Sequence, residues 1–213
     1  MVNVWQKKQL DLDILELLYN HYCLRGKTIA DLIQVEIRQK IYDRLYALGS
    51  ENKKGLGLIS AEKFTGMNLY QDQTNKKTRG LRLGSMYYLT QSGAEVIYKH
   101  IYNKPLPPDI RFKKPSPEAL YSCYHNSLIL ENIDLPFQTR KQFRESNEVH
   151  RSYITDLVYN EWQIIHAKNI SDKYKTILSQ QSRQAEKLDI NNRLKLCRNN
   201  KNMLQIMKHH IRE

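Results

Sequence analysis

Five of the chain's six prolines fall within fifteen residues, Asn103 to Pro117 (NKPLPPDIRFKKPSP). Proline lacks an amide donor, fixes its own φ and pushes the preceding residue toward extended backbone, so no helix crosses this stretch. Residues 105–117 read as an extended linker. The 213-residue chain therefore reads as two parts, 1–104 and 118–213, each long enough to bury a core.

The basic balance is shared by both parts. Thirty-four Lys and Arg against 22 Asp and Glu give a formal charge of +12, with 16 basic and 10 acidic residues in 1–104. Such an excess favours a polyanionic partner, of which nucleic acid is the commonest. Cys23, Cys123 and Cys197 form no C-x-x-C pair and are odd in number, so they read as reduced thiols and not as a disulfide framework or zinc cluster. The start MVNVWQKKQLDLD has no apolar h-region, and no run of about 18 apolar residues occurs. The expectation is a cytoplasmic protein without a membrane segment.

In the first part, Leu12, Leu15, Leu18, Tyr19 and Tyr22 recur at helical spacing behind Asp11. After Gly26, Thr28 followed by Asp31 resembles a capping arrangement for a short second helix carrying Ile29, Leu32 and Ile33. A third helix over 35–48 places Ile37, Ile41, Leu45 and Leu48 on one face, with Gly49 as its stop. Two strands follow, Leu56 to Ser60 and Leu81 to Leu89, around a long polar loop. Thr90 then caps a fourth helix that buries Ala94, Ile97, Tyr98 and Ile101.

The order α-α-α-β-β-α predicts a winged helix-turn-helix over 1–104, and an α+β protein as a whole. A helix of this kind fits the major groove of B-DNA. Arg38, Gln39, Lys40, Asp43 and Arg44 are positioned on the third helix to reach base edges or phosphates, arginine on guanine being the commonest base-specific contact. Lys53, Lys54, Lys76, Lys77, Arg79 and Arg82 bracket the hairpin, where a wing meets flanking backbone or the minor groove. A solvated helix face is the alternative reading of the same charges.

Leu10 to Leu48, the Gly-Leu-Ile-Ser stretch and Tyr-Tyr-Leu-Thr-Gln-Ser-Gly-Ala resemble the winged helix of replication-relaxation proteins, over residues 10–102. The loop from Ala61 to Gly80 is longer than a usual wing. The resemblance implies a sequence-preferring duplex binder associated with plasmid replication, mobilisation or transcription control. A relaxase or replication protein is the implied partner, and architecture adds the expectation of a homodimer on repeated half-sites.

In the second part, Ser116-Pro117-Glu118 opens a helix carrying Leu120, Tyr121, Tyr124 and Leu128. Phe137 to Arg144, Ser152 to Tyr159 and Trp162 to Ala167 read as short strands. From Ser171 onward the composition is helical, with Tyr174, Ile177, Leu178, Ala185 and Leu188 on one stripe and Leu194, Met203, Met207 and Ile211 beyond it. By further resemblance, Asp156 with Ile165-His166-Ala167-Lys168 looks like a degraded acidic-x-lysine nuclease site. His166 stands where a second carboxylate would hold the metal. His125, His150, His209 and His210 fit no common metal spacing and read as exposed. The reading is a DNA-binding protein without catalytic residues, metal or cofactor. A metal-dependent nuclease and a protein-interaction module are the alternatives.

Overall fold

In the computed structural model the described residues are 8–35, 37–49, 55–65, 82–131, 138–147, 157–159, 162–166 and 193–197. They form an α+β protein that divides into two compact units, Met1–Ser127 and Leu128–Glu213.

The first unit begins with α1, Gln9–His21, whose stripe of Leu12, Ile14, Leu15 and Leu18 is buried. Its N-cap is Lys8, and Asp11 lies inside the first turn and fully buried. Tyr22 then takes a positive φ of 69°, and β1 (Cys23–Arg25) runs directly into α2 (Gly26–Ile33). Thr28 is therefore an interior residue of α2 and not its cap, since the helix already starts at Gly26. A Cβ on Gly26 would meet the rings of Tyr42 and Tyr87 at 3.0 and 3.1 Å, so glycine is what lets α2 start so close to its neighbours.

Gln34, in the left-handed region, ends α2, and α3 spans Arg38–Leu48. Ile41, Leu45 and Leu48 are its buried residues. Ile37, expected on the same stripe, is the extended N-cap and is half exposed, because the helix begins one residue after it. The Gly49 amide donates to Tyr46 O, and Leu58 N donates to Leu48 O, which turns the chain into β2 (Ile59–Thr65).

β2 pairs antiparallel with β3 (Arg82–Leu89), and β3 pairs antiparallel with β1, giving a three-stranded sheet of order β1-β3-β2. Between the pairs Lys63↔Ser85 and Thr65↔Arg82 the register slips by one residue. The extra residue falls in β3, where Gly84 takes φ +100°, a value suited to glycine at a bulge. β2 thus lies further along the chain than the expected Leu56 to Ser60 and takes in the start of the polar loop. α4 (Gln91–His100) follows, with Thr90 Oγ1 accepting from Gly93 N and Ala94, Ile97 and Tyr98 buried as expected, whereas Ile101 is the C-cap and only half-buried because the helix ends before it.

The proline-rich segment is not where the chain divides. Gln91 fastens it to α4 by donating to Ile110 O and accepting from Phe112 N, and Lys114 Nζ lies 2.7 Å from Glu62 Oε1 in β2. Side-chain and backbone pairing with the first unit thus override its linker composition. α5 (Pro117–Leu130) continues this attachment. The Tyr124 ring stacks on Phe64 at 4.5 Å, the Arg25 guanidinium sits over Tyr124, and Ser127 Oγ accepts from Arg25 N. The division falls within α5.

Cys23 and Cys123, remote in sequence, are both buried in this unit as free thiols. Burial, then the hydrogen bond with Cys123, pushes the Cys23 thiol up from its ordinary value. His125, expected at the surface, is buried with its ring edge-on to Tyr121 at 4.2 Å. His150, His209 and His210 lie outside the described residues.

In the second unit a four-stranded sheet has the order β4-β5-β6-β7, with β4 Gln138–Thr139, β5 Leu157–Tyr159, β6 Trp162–His166 and β7 Arg193–Cys197. The first three pair antiparallel and β7 runs parallel to β6. Phe137 to Arg144 is not a strand beyond Thr139 but turns into α6 (Arg140–Asn147). Thr139 Oγ1 accepts from Gln142 N while Gln142 Oε1 accepts from Thr139 N, a reciprocal cap that starts the helix. Leu194 lies on a strand and not on a helical stripe, because 193–197 completes the sheet beside β6.

Candidate nucleic-acid interface

α3 is held by one face and offers the other. Ile41, Leu45 and Leu48 lock it into the core; at 100° per residue Gln39, Asp43 and Tyr46 gather on the opposite side and Tyr42 on its flank, while Arg38, three residues before Ile41, lies toward the anchored side. All five are exposed, Tyr46 at 69 % and Tyr42 at 39 %.

The expected contact residues divide sharply. Arg38, Gln39 and Lys40 come together in the exposed first turn of α3. Arg38 Nη2 stands 2.7 Å from Asp31 Oδ1 of α2. The Arg38 side chain is largely exposed while that of Asp31 is mostly covered, so the pair is only partly solvated. Gln39 Nε2 donates to Asp43 Oδ1 at 2.9 Å, one turn on.

Arg44 is placed otherwise. Its Nε and Nη2 each donate at 2.7 Å to a different oxygen of Asp11, a carboxylate with no exposed surface. That hydrogen bond, opposed by partial burial, holds the Arg44 guanidinium above its ordinary range. These two donors point at a buried carboxylate, so Arg44 joins α3 to α1 and is not part of the outward face. Arg82 opens β3 opposite Thr65, while Lys53, Lys54, Lys76, Lys77 and Arg79 lie outside the described residues.

Tyr42 and Tyr46 were not singled out from the sequence. Their i,i+4 spacing on the polar side of α3 was the available signal, since two rings off the Ile41-Leu45-Leu48 stripe must face solvent or a partner.

Among the described residues, no group of three or more His, Cys, Asp or Glu is arranged to hold a metal ion, and no helix is long and apolar enough to cross a membrane. His166 ends β6, and Asp156 and Lys168 lie outside the described residues. No protein-family model, curated protein or solved structure matches the chain.

Proposed function

We propose that the first unit is a winged helix-turn-helix that binds double-stranded DNA with a sequence preference, α3 entering the major groove. The observation that carries this reading is the outward face of α3. A helix anchored by three buried aliphatic residues presents an amide, two aromatic rings and a cationic first turn to solvent. The element order α1-β1-α2-α3-β2-β3, with β1 beside β3, is compatible with a winged helix, and the net charge of +12 suits a polyphosphate partner.

The resemblance to replication-relaxation proteins extends the proposal to an accessory or regulatory role in the replication, transfer or transcription of a plasmid or other mobile element. A relaxase or replication protein would be its protein partner, and a homodimer would suit paired half-sites.

The test is equilibrium binding of the full chain to duplex DNA at several salt concentrations, beside the double variant Arg38→Glu with Lys40→Glu. Both positions are exposed, so the variant should keep the circular dichroism spectrum of the parent. Affinity should fall at least tenfold, and the plot of log K against log salt should flatten by roughly 2 if each side chain meets one phosphate. Unchanged affinity and slope in a folded variant would reject α3 as the DNA-contacting element.

A further inference from the structure

The outward face of α3 is poor in uncompensated charge. Arg38 is paired with Asp31, Arg44 is turned onto Asp11, and the carboxylate of Asp43 lies on the outward face itself. A surface built mainly to grip phosphates would not carry an acidic residue between its cations. What α3 offers instead is shape and hydrogen bonding, from Gln39, Tyr42 and Tyr46.

The Tyr46 ring is the most exposed of the large hydrophobic side chains in the described residues. Tyr42 is anchored differently, its ring lying against the backbone of Gly26 at the start of α2. On an α-helix these positions are separated by about 6 Å along the axis, close to two base-pair steps of duplex DNA. In the major groove only thymine presents an apolar group, its 5-methyl, and aromatic or apolar side chains are what read it.

Gln39 supplies the complement. It lies within about 20° of Tyr46 around the helix, two turns before it. The amide gives one hydrogen to Asp43, which fixes its plane. The other N–H and Oε1 are the pair of groups that meet adenine N7 and N6 together.

From this we infer that α3 selects for A·T base pairs, Tyr46 packing on a thymine 5-methyl and Gln39 bonding the adenine edge. The inference rests on the duplex-binding reading above and assigns selectivity to the aromatic and amide residues. The exposed cations of the first turn, Arg38 and Lys40, then supply the salt-dependent affinity.

The experiment begins with selection of bound duplexes from a library with a randomised centre, for the full chain and for Tyr46→Ala. The preferred site is then compared with the same site carrying uracil for thymine, which removes only the methyl groups. The parent should select an A·T-containing core and lose about four-fold in affinity per contacted methyl, the factor that burying one apolar carbon carries. Tyr46→Ala should lose the same factor on the thymine site and show no further loss on the uracil site. Its salt slope should match the parent's. Tyr46→Phe should behave as the parent.

Equal binding of thymine and uracil sites with a steep salt slope would overturn this inference and leave the duplex-binding reading standing. A uracil penalty that persists unchanged in Tyr46→Ala would also overturn it, because the methyl contact would then lie elsewhere. No duplex binding at any salt would reject both readings, and the exposed rings would then belong to a protein-binding face.

Discussion

Arg44 and Asp11 form a two-pronged ion pair across the first unit, with both nitrogen–oxygen distances at 2.7 Å and the carboxylate fully buried. Thirty-three residues separate them in the chain. The contact ties α3 to the first turn of α1, and so sets where the outward face of α3 points.

Removing the guanidinium leaves a buried carboxylate without this partner, a change that typically costs about 3–5 kcal/mol. Arg44→Ala and Arg44→Glu should therefore melt well below the parent in a thermal denaturation series, with Arg44→Glu the worse because it adds a second carboxylate. Replacing both residues, Asp11→Leu with Arg44→Met, should recover most of the loss. A melting point for Arg44→Ala equal to the parent's would show that the pair contributes nothing. A loss of DNA binding in Arg44→Glu would reflect damage to the fold, which is why Arg38 and Lys40 are the positions to reverse.

The turn into α4 is equally demanding. Thr90 Oγ1 donates to Gly57 O and accepts from Gly93 N, while Thr90 N donates to Leu58 O. The same Leu58 carbonyl occupies the space where a side chain on Gly93 would begin. Gly93→Ala must displace backbone and should cost about 2 kcal/mol or more in chemical denaturation, within the range for overpacked sites. Ser92→Ala, next door and exposed, should change stability by less than about 0.5 kcal/mol. Equal effects at the two positions would contradict the close approach.

What was legible in the sequence was local. Thr90 and Gly93, three residues apart, announced the start of α4, and the i,i+4,i+7 spacing of Ile41, Leu45 and Leu48 announced the buried side of α3. What was not legible depended on distant partners. Arg44 looks like any other basic residue of a helix until Asp11 is brought to it. β1 has three residues and no periodicity of its own, and is a strand because Cys23, Leu24 and Arg25 pair with Tyr88, Tyr87 and Met86. The alternation of Leu194 and Leu196 was readable as a strand, but helix-favouring neighbours outweighed it until β6 supplied a partner.

The reciprocal cap at Thr139 and Gln142 was a local signal that lost to the aromatic character of Phe137 and Phe143. Thr139→Ala removes the hydroxyl that accepts from Gln142 N and should destabilise α6 by about 1 kcal/mol. Hydrogen exchange should quicken at the amides of the first turn of α6 in this variant, with Gln142→Ala giving a smaller effect. Exchange rates indistinguishable from the parent's would show that the cap does not start the helix.

His21 makes the stability of the first unit depend on pH. It ends α1, where the helix dipole would favour a cation, but burial dominates and pushes its pKa down to about 4. In the unfolded chain the imidazole titrates near 6.5. Between those values the unfolded state binds a proton that the folded state refuses, so stability is complete above pH 6.5 and falls as pH drops toward 4. The loss is roughly 2 kcal/mol at pH 5 and at most about 3 kcal/mol near pH 4. Carboxylates also titrate near the bottom of this range, so the informative quantity is the difference between the parent and His21→Asn, taken from denaturant unfolding at pH 7 and pH 5. His21→Asn should lose roughly 2 kcal/mol less than the parent between these two values. Parallel losses in the two proteins would mean that His21 can be protonated in the folded state and that its burial exerts no such penalty.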